Sequence, residues 1–568
     1  MYHEPSFYPH PLDGHDRNKS FIYREKHQRL FLSAALNKPN WTAKVADRCI
    51  VAKWFREAGA HAHTWSASDV QFLWKELTNY REYVELLRTQ GCKVEPEIAG
   101  VWKADGVIGE ELRKELIEAV ATLEDVPDTQ KDWHPGSNKQ VLDLVHPSLW
   151  PLVYGHSIGL DGEPIEAPPQ SFTTIGYSEK FCWLPSEFKI STNGKATEIY
   201  SYINNLSSPG QQQLFYPILE KIFTQFVPLF NHVLADLSRS QLPGLRWNLP
   251  GNRTHLYITD KDYRNKWAEI LDRFEHDQDL AIDYSDVGAP FCANRDWCRK
   301  TKVKCSRICG KNALSVDARF LSSLNMEHVW TPPPISEETR LEGRKLKVII
   351  KLANIILTPQ SPWYQGGSWH VEAMMNERIV STGIYYYAQE NITDSKLNFR
   401  MKLEDSADDD EWTGGRDISA EEPDDNYLEV GGISTRENRC IAFPNIFQHQ
   451  VQPFELLDRT RPGYRKVLVF FLCDPSENHN VPTTRTVAAQ QPEERPRVVE
   501  KLREGALGSL PEEIFQQIIS DLPPIITREK AETYREELME ERTNFNAEST
   551  SDDDYSEGTE DSWSLCEH

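Results

Sequence analysis

At 568 residues the chain exceeds the size that one hydrophobic core usually serves, and 39% hydrophobic with 11% aromatic residues can fill a large interior. Ten cysteines are too sparse for a disulfide framework, and no apolar run approaches the roughly 18 residues of a membrane span, so an intracellular protein of the cytoplasm or nucleus is expected. The net charge of -24 is local: Glu404–Asp425 holds eleven acids against Arg416 and Glu548–Glu567 adds eight acids without a base, which leaves little basis for a general nucleic-acid surface.

In chain order, the polar, Pro-rich MYHEPSFYPHPLDGHDRNKS comes first. SDVQFLWKELTNYREYVELLRTQG has a Ser/Asp start, apolar residues at helical spacing and a closing Gly, which predicts a helix. GEELRKELIEAVATLED and QQQLFYPILEKIFTQFVPLFNHVLADLSR are similar, the second apolar enough to be mostly buried. VLDLVHPSLWPLVYG, between them, carries prolines and aromatics that suggest packed irregular structure. Residues 1–340 are accordingly expected to be mainly helical, packed on the core and contributing to it.

From Leu346 the pattern changes. LKVIIKLANIIL, ERIVSTGIYYYA, RCIAFPNIFQHQV and YRKVLVFFLC are β-branched and aromatic runs separated by turn residues. No helical pattern fills the gaps, so parallel βαβ units are not expected. Short strands with turn signals fit an α+β protein whose core, residues 341–480, is a jelly roll, or double-stranded β-helix, with an acidic insertion at 404–426. A linker and helices over 481–547, including LPEEIFQQIISDL and TREKAETYREELMEERTNF, and an acidic disordered tail over 548–568 complete the chain.

Within the β region, GGSWHVE places His370 and Glu372 two residues apart, on the same side if the stretch is extended. A solvated strand start would explain them equally until a third donor is found. His449, at the end of AFPNIFQHQV, is the candidate. Two imidazoles and one carboxylate leave coordination positions open, which suits Fe(II), although Zn(II) could take the same ligands. Arg465 opens the strand YRKVLVFFLC, with Arg465, Val467, Val469 and Phe471 on one face and Lys466 on the other. Its guanidinium needs an acid, either a protein carboxylate or the distal carboxylate of 2-oxoglutarate.

The order HxE, then His, then a Gly-x-Arg strand resembles the 2-oxoglutarate/Fe(II) oxygenases, with Glu372 where Asp is commoner. That resemblance implies a metal centre at His370, Glu372 and His449, co-substrate binding by Arg465, and a place near the co-substrate for Tyr364 in WYQGGSWH. VLDLVHPSLWPLVYG, WLPSEF, YSYINNL, VIIKLANIILTP, YQGGSWHVEAMMNERIVSTGIYYY, CIAFPNIFQHQVQPFELLD and the closing SLCEH resemble, in order, the fungal family called domain of unknown function 4246. The family brings one continuous architecture and no assigned activity.

Two other motifs compete. CRKTKVKC resembles part of a fungal binuclear zinc cluster, but Cys292, Cys298, Cys305 and Cys309 lack its close Cys-x2-Cys start and two further cysteines. LGSLPEEIFQQIISDLP resembles the opening of an F-box, and equally any amphipathic helix begun by Pro. The expectation is an Fe(II)/2-oxoglutarate-dependent oxygenase, a hydroxylase or demethylase, acting on an unknown small molecule or protein side chain without a membrane. The alternative is a non-catalytic metal-binding or interaction protein on the same cupin-like fold.

Overall fold

The computed structural model describes residues 8–12, 23–58, 65, 67–169, 176–239, 261–278, 329–402, 427–476, 481–522, 525–549 and 565. Among them, ten α-helices accompany a ten-stranded sheet and three smaller sheets, and every strand pairing is antiparallel. The acidic insertion and the four cysteines at 292–309 lie outside the described residues. So does the acidic tail, apart from Leu565 and the end of the helix Arg528–Ser549. No helix among the described residues is long and apolar enough to cross a membrane.

The four β-branched and aromatic runs form the centre of the large sheet, in the order Arg439–Pro444, Ile379–Glu390, Gly463–Cys473, Lys345–Leu357. Ile379–Ala388 is buried at every position, as a strand covered on both faces must be. The first 340 residues lend strands to this sheet. Val94–Pro96 and Trp102–Asp105 extend one side, while Asp132–Trp133 and Val141–Val145 extend the other; Ser186–Ile190 also pairs with Lys345–Leu357. VLDLVHPSLWPLVYG is therefore not wholly irregular: Val141, Leu142 and Asp143 pair with Ile355, Asn354 and Ala353.

RCIAFPNIFQHQV divides between two sheets. Arg439–Pro444 stays in the large one, and Gln448–Val451 joins a three-stranded sheet with Ser395–Lys402 and Tyr427–Thr435. From Ile379 onward the chain thus passes from the large sheet to the small one, back, out again, and back in Gly463–Cys473.

The helix Pro209–Leu237 covers the large sheet. Ser208 and Gln211 form a capping box with Pro209 in the first turn, and Phe223, Phe226 and Phe230 are fully buried. Phe226 and Phe230 come so close to Gly383 that a Cβ there would lie 2.8 Å from each ring. Replacing Gly383 by Val should therefore destabilise the fold by about 1–3 kcal/mol through overpacking. Denaturant unfolding checks this, and an unchanged midpoint would show that the helix is not seated on this strand.

Candidate metal centre

His370 and His449 form an isolated antiparallel bridge: the amide of His370 donates to the carbonyl of His449 at 3.2 Å, and the reverse bond is 2.9 Å. His449 lies in Gln448–Val451, opposite Phe399 of Ser395–Lys402. His370 is not in the strand that follows; Ile379–Glu390 begins nine residues later, and Glu372 lies in the irregular chain between. The expected common side is nevertheless reached. The imidazole rings are 4.1 Å apart, and Glu372 Oε1 lies 3.2 Å from His449 Nε2 and 3.7 Å from His370 Nε2. One donor atom from each residue falls within 4.8 Å of the others, and all three side chains are buried.

Tautomer and charge follow from the neighbours. His370 Nδ1 lies 2.8 Å from the Ser368 carbonyl, which only accepts, so Nδ1 carries the proton and Nε2 faces Glu372. Burial alone would raise the carboxyl of Glu372, but the imidazoles of His370 and His449 outweigh it and hold the group well below the usual carboxylate range. An ionised carboxylate beside imidazole nitrogens is a donor set for a divalent cation.

The segment after Glu372 is held from several sides. Asn445 accepts from the Glu372 amide and donates to its carbonyl, both at 2.9 Å, and donates also to the carbonyl of Ile379. The Met374 amide donates to Glu377 at 3.0 Å; Glu377 also takes the Trp183 amide and Arg542 of the helix Arg528–Ser549. Both members of that Glu377–Arg542 pair are fully buried.

Arg465 is buried and donates to Ser395 Oγ at 3.1 Å and Thr435 Oγ1 at 3.3 Å. Its guanidinium lies 4.5 Å from the centre of the Phe454 ring. Tyr364, on the short strand pairing with Phe454–Glu455, packs its ring at a tilt against that of Phe454, with centroids 5.1 Å apart. Lys466 points elsewhere, to Glu124 at 2.7 Å. Ser395 and Phe399 are four apart on one strand face, and Phe399 packs on Phe443, which packs on His449. Arg465 thus reaches the same strand face that backs the His449 ring. A cavity of about 630 Å³ lies between the three-stranded sheet and the helix Tyr23–Leu36, lined by Leu30, Asn37, Trp369, Lys396, Asn398 and Glu429; His370, Glu372, His449 and Arg465 do not line it.

Residues 67–496 match the family described as protein of unknown function (DUF4246), and residues 1–57 match its N-terminal domain. The chain belongs to the DUF4246 family. No curated protein matches it. Among solved structures, it is similar to the Fe(II)/(alpha)ketoglutarate-dependent dioxygenase TqaL at 15% identity, over 32% of this chain and 60% of that one, with a TM-score of 0.17. It is also similar to IDO from Bacillus thuringiensis, at 10% identity over 31% and 62% of the two chains with a TM-score of 0.16. A bsmA homolog from Methylobium petroleophilum PM1 aligns at 9% identity over 29% and 56%, with a TM-score of 0.15. The chain spans less than two thirds of each of these structures, and at such TM-scores the alignments carry no argument.

The DUF4246 chain has a second buried cluster, His134, Asp143 and His146. Burial opposes the charge on Asp143, yet His146 and His134 hold its carboxyl well below the usual range, and Arg535 approaches it at 3.9 Å. His146 Nδ1 accepts from the Ser148 amide at 3.2 Å. That leaves a proton on Nε2, and Arg535 ties the helix Arg528–Ser549 to this cluster through Asp132 and Asp143. Cys440 and Cys473 are buried, as their apolar strands imply.

Sequence reasoning passed over Asn445, although a polar residue after Pro444 in the otherwise apolar AFPNIF is a visible signal. Asn445→Ala should lower divalent-metal affinity roughly 10–100-fold, because the backbone of Glu372 loses its clasp. Competition titration with Co(II) reads this; an unchanged affinity would exclude the positioning role.

Proposed function

We propose that this protein is an Fe(II)- and 2-oxoglutarate-dependent oxygenase, a hydroxylase or demethylase, built on a double-stranded β-helix. One observation carries the proposal: the donor atoms of His370, Glu372 and His449 converge in one buried cluster, two imidazoles and a carboxylate on segments that need not otherwise meet. That set suits a non-haem ferrous ion with positions left open for co-substrate and oxygen. The alternation of the chain between the large sheet and the three-stranded sheet supports the fold proposal. Residues 341–480 would be the core and residues 1–340 its helical cover and added strands, in an intracellular protein.

Fe(II), when bound, would supply the oxygen chemistry, with 2-oxoglutarate as the reductant that is decarboxylated. The protein's own residues have simpler tasks. Ser368 fixes the His370 tautomer, and Asn445 fixes the backbone of Glu372. Ser395, Thr435 and the Phe454 ring orient the guanidinium of Arg465, which would meet the distal carboxylate of the co-substrate with two parallel bonds. Tyr364 would back this pocket through Phe454. The substrate would be a small molecule or a protein side chain.

His370→Ala or His449→Ala should abolish iron retention while leaving the melting transition, since open ligand sites add little to a large core; stoichiometric iron in both variants would sink the triad. Under anaerobic conditions, Fe(II) with 2-oxoglutarate should give a weak visible charge-transfer band. Iron binding without that band would leave a non-catalytic metal-binding protein.

Arg465→Ala should leave metal affinity nearly unchanged and weaken 2-oxoglutarate binding by roughly 2–5 kcal/mol, the cost of stranding one partner of a buried charged pair. Arg465→Lys should recover only part of this, because an ammonium cannot make the planar two-point contact. Equal co-substrate affinity in wild type and Arg465→Ala would assign the clamp elsewhere.

A further inference from the structure

Glu372 is followed by Ala373, whose φ of 61° lies in the left-handed region that disfavours any residue with a Cβ. This turn sends the chain away from the metal centre immediately after the carboxylate. Its amide donates to the carbonyl of Leu565, 3.0 Å away. Leu565 is fully buried, in an apolar cluster with Val371 and Met374, the two residues that bracket Glu372 and Ala373, and with Leu12 against it.

We infer that Leu565 is a positioning residue for the metal centre, a strap whose side chain and carbonyl together hold the Glu372–Ala373 turn in its strained, ligand-presenting conformation. The inference rests on Glu372 being a metal ligand, as proposed above. The remaining contacts of this segment come from inside the fold. Asn445 clasps Glu372, Glu377 takes the Met374 amide, and the Gly176 carbonyl takes the Met375 amide. The Ala373 amide alone in this run is held from a part of the chain beyond the helix Arg528–Ser549, so one contact can be removed without touching the others. Releasing it lets Ala373 relax toward an ordinary φ, which swings the Glu372 carboxylate relative to the two imidazoles. Metal affinity is thereby tied to the contact between Leu565 and this turn.

The test uses the full chain, Leu565→Asp, Leu565→Met and a chain ending at Asp561. Hydrogen exchange on the metal-free proteins should be faster at residues 371–375 in Leu565→Asp and in the shortened chain, with the protection of Ile379–Glu390 unchanged. Co(II) affinity should fall roughly 10–100-fold in both, as for loss of other groups that orient a ligand. Leu565→Met should restore it, and so should a peptide of residues 560–568 added to the shortened chain. Exchange and affinity equal to wild type in Leu565→Asp would overturn the strap. So would a loss that neither Leu565→Met nor the peptide repairs. Full-length protein that binds no metal, yet shows the exchange difference, would instead overturn the oxygenase proposal and leave Leu565 as a fastener of the turn.

Discussion

Two backbone hydrogen bonds, one in each direction between His370 and His449, are the constraint from which the candidate metal centre follows. They fix the spacing of two segments that belong to different connections of the chain. Once the backbones are paired, the side chains at a bridged pair must stand side by side, and the rings lie 4.1 Å apart. The imidazoles then have their nitrogens set by neighbours: Ser368 holds Nδ1 of His370, and Glu372 faces Nε2 of both rings. Nothing in this arrangement requires a long strand through His370. A single bridge suffices, because the register of Gln448–Val451 is already fixed by Ser395–Lys402.

Presenting Glu372 is the harder task. Its carboxylate must turn toward the rings while the chain leaves for Ile379–Glu390, and Ala373 takes the left-handed turn that allows this at a cost of about 1–2 kcal/mol. A net hydrogen bond is worth about 1 kcal/mol, so one contact would barely offset that cost. The amides of Glu372, Ala373, Met374 and Met375 are all engaged, by Asn445, Leu565, Glu377 and Gly176. Several modest contacts together hold a conformation that none could hold alone. Glu377 in turn is a fully buried charge and depends on Arg542, which lies over the Trp183 ring at 4.4 Å. Breaking that pair would expose the whole turn to relaxation, so the helix Arg528–Ser549 belongs to the site's support although it carries none of the candidate ligands.

Chemistry was legible in the sequence where it depends on residue type, and geometry was not. The runs LKVIIKLANIIL and YRKVLVFFLC announce strands because buried strands need β-branched and aromatic residues at nearly every position. Ser395–Lys402 and Tyr427–Thr435 were missed because their apolar residues alternate with charged and polar ones beside an acidic segment. The short strands before residue 200 are too brief for periodicity and owe their state to pairing with the large sheet. Alternation within a strand predicts a common side for His370 and Glu372; that side arises instead from a bridge at His370 and an irregular link after it. Leu565 was legible only as part of the closing SLCEH, and its packing role follows from the cluster it enters.

Arg465 and Lys466 illustrate how much of the site depends on the layer outside it. They are adjacent on one strand, so alternation sends them to opposite faces of the sheet. Lys466 meets Glu124 at the end of the helix Glu110–Glu124, and Asn354 of the neighbouring strand donates to the same carboxylate at 2.6 Å. That helix therefore satisfies the outward cation and fixes the rotation of the strand about its axis. With the outward residue committed, the inward one is committed as well, and the guanidinium of Arg465 is delivered to Ser395 and Thr435, on the sheet that also carries His449. The helical first part of the chain is thus a determinant of where the inner cation points, which is a physical reason for the two parts to form one continuous family architecture.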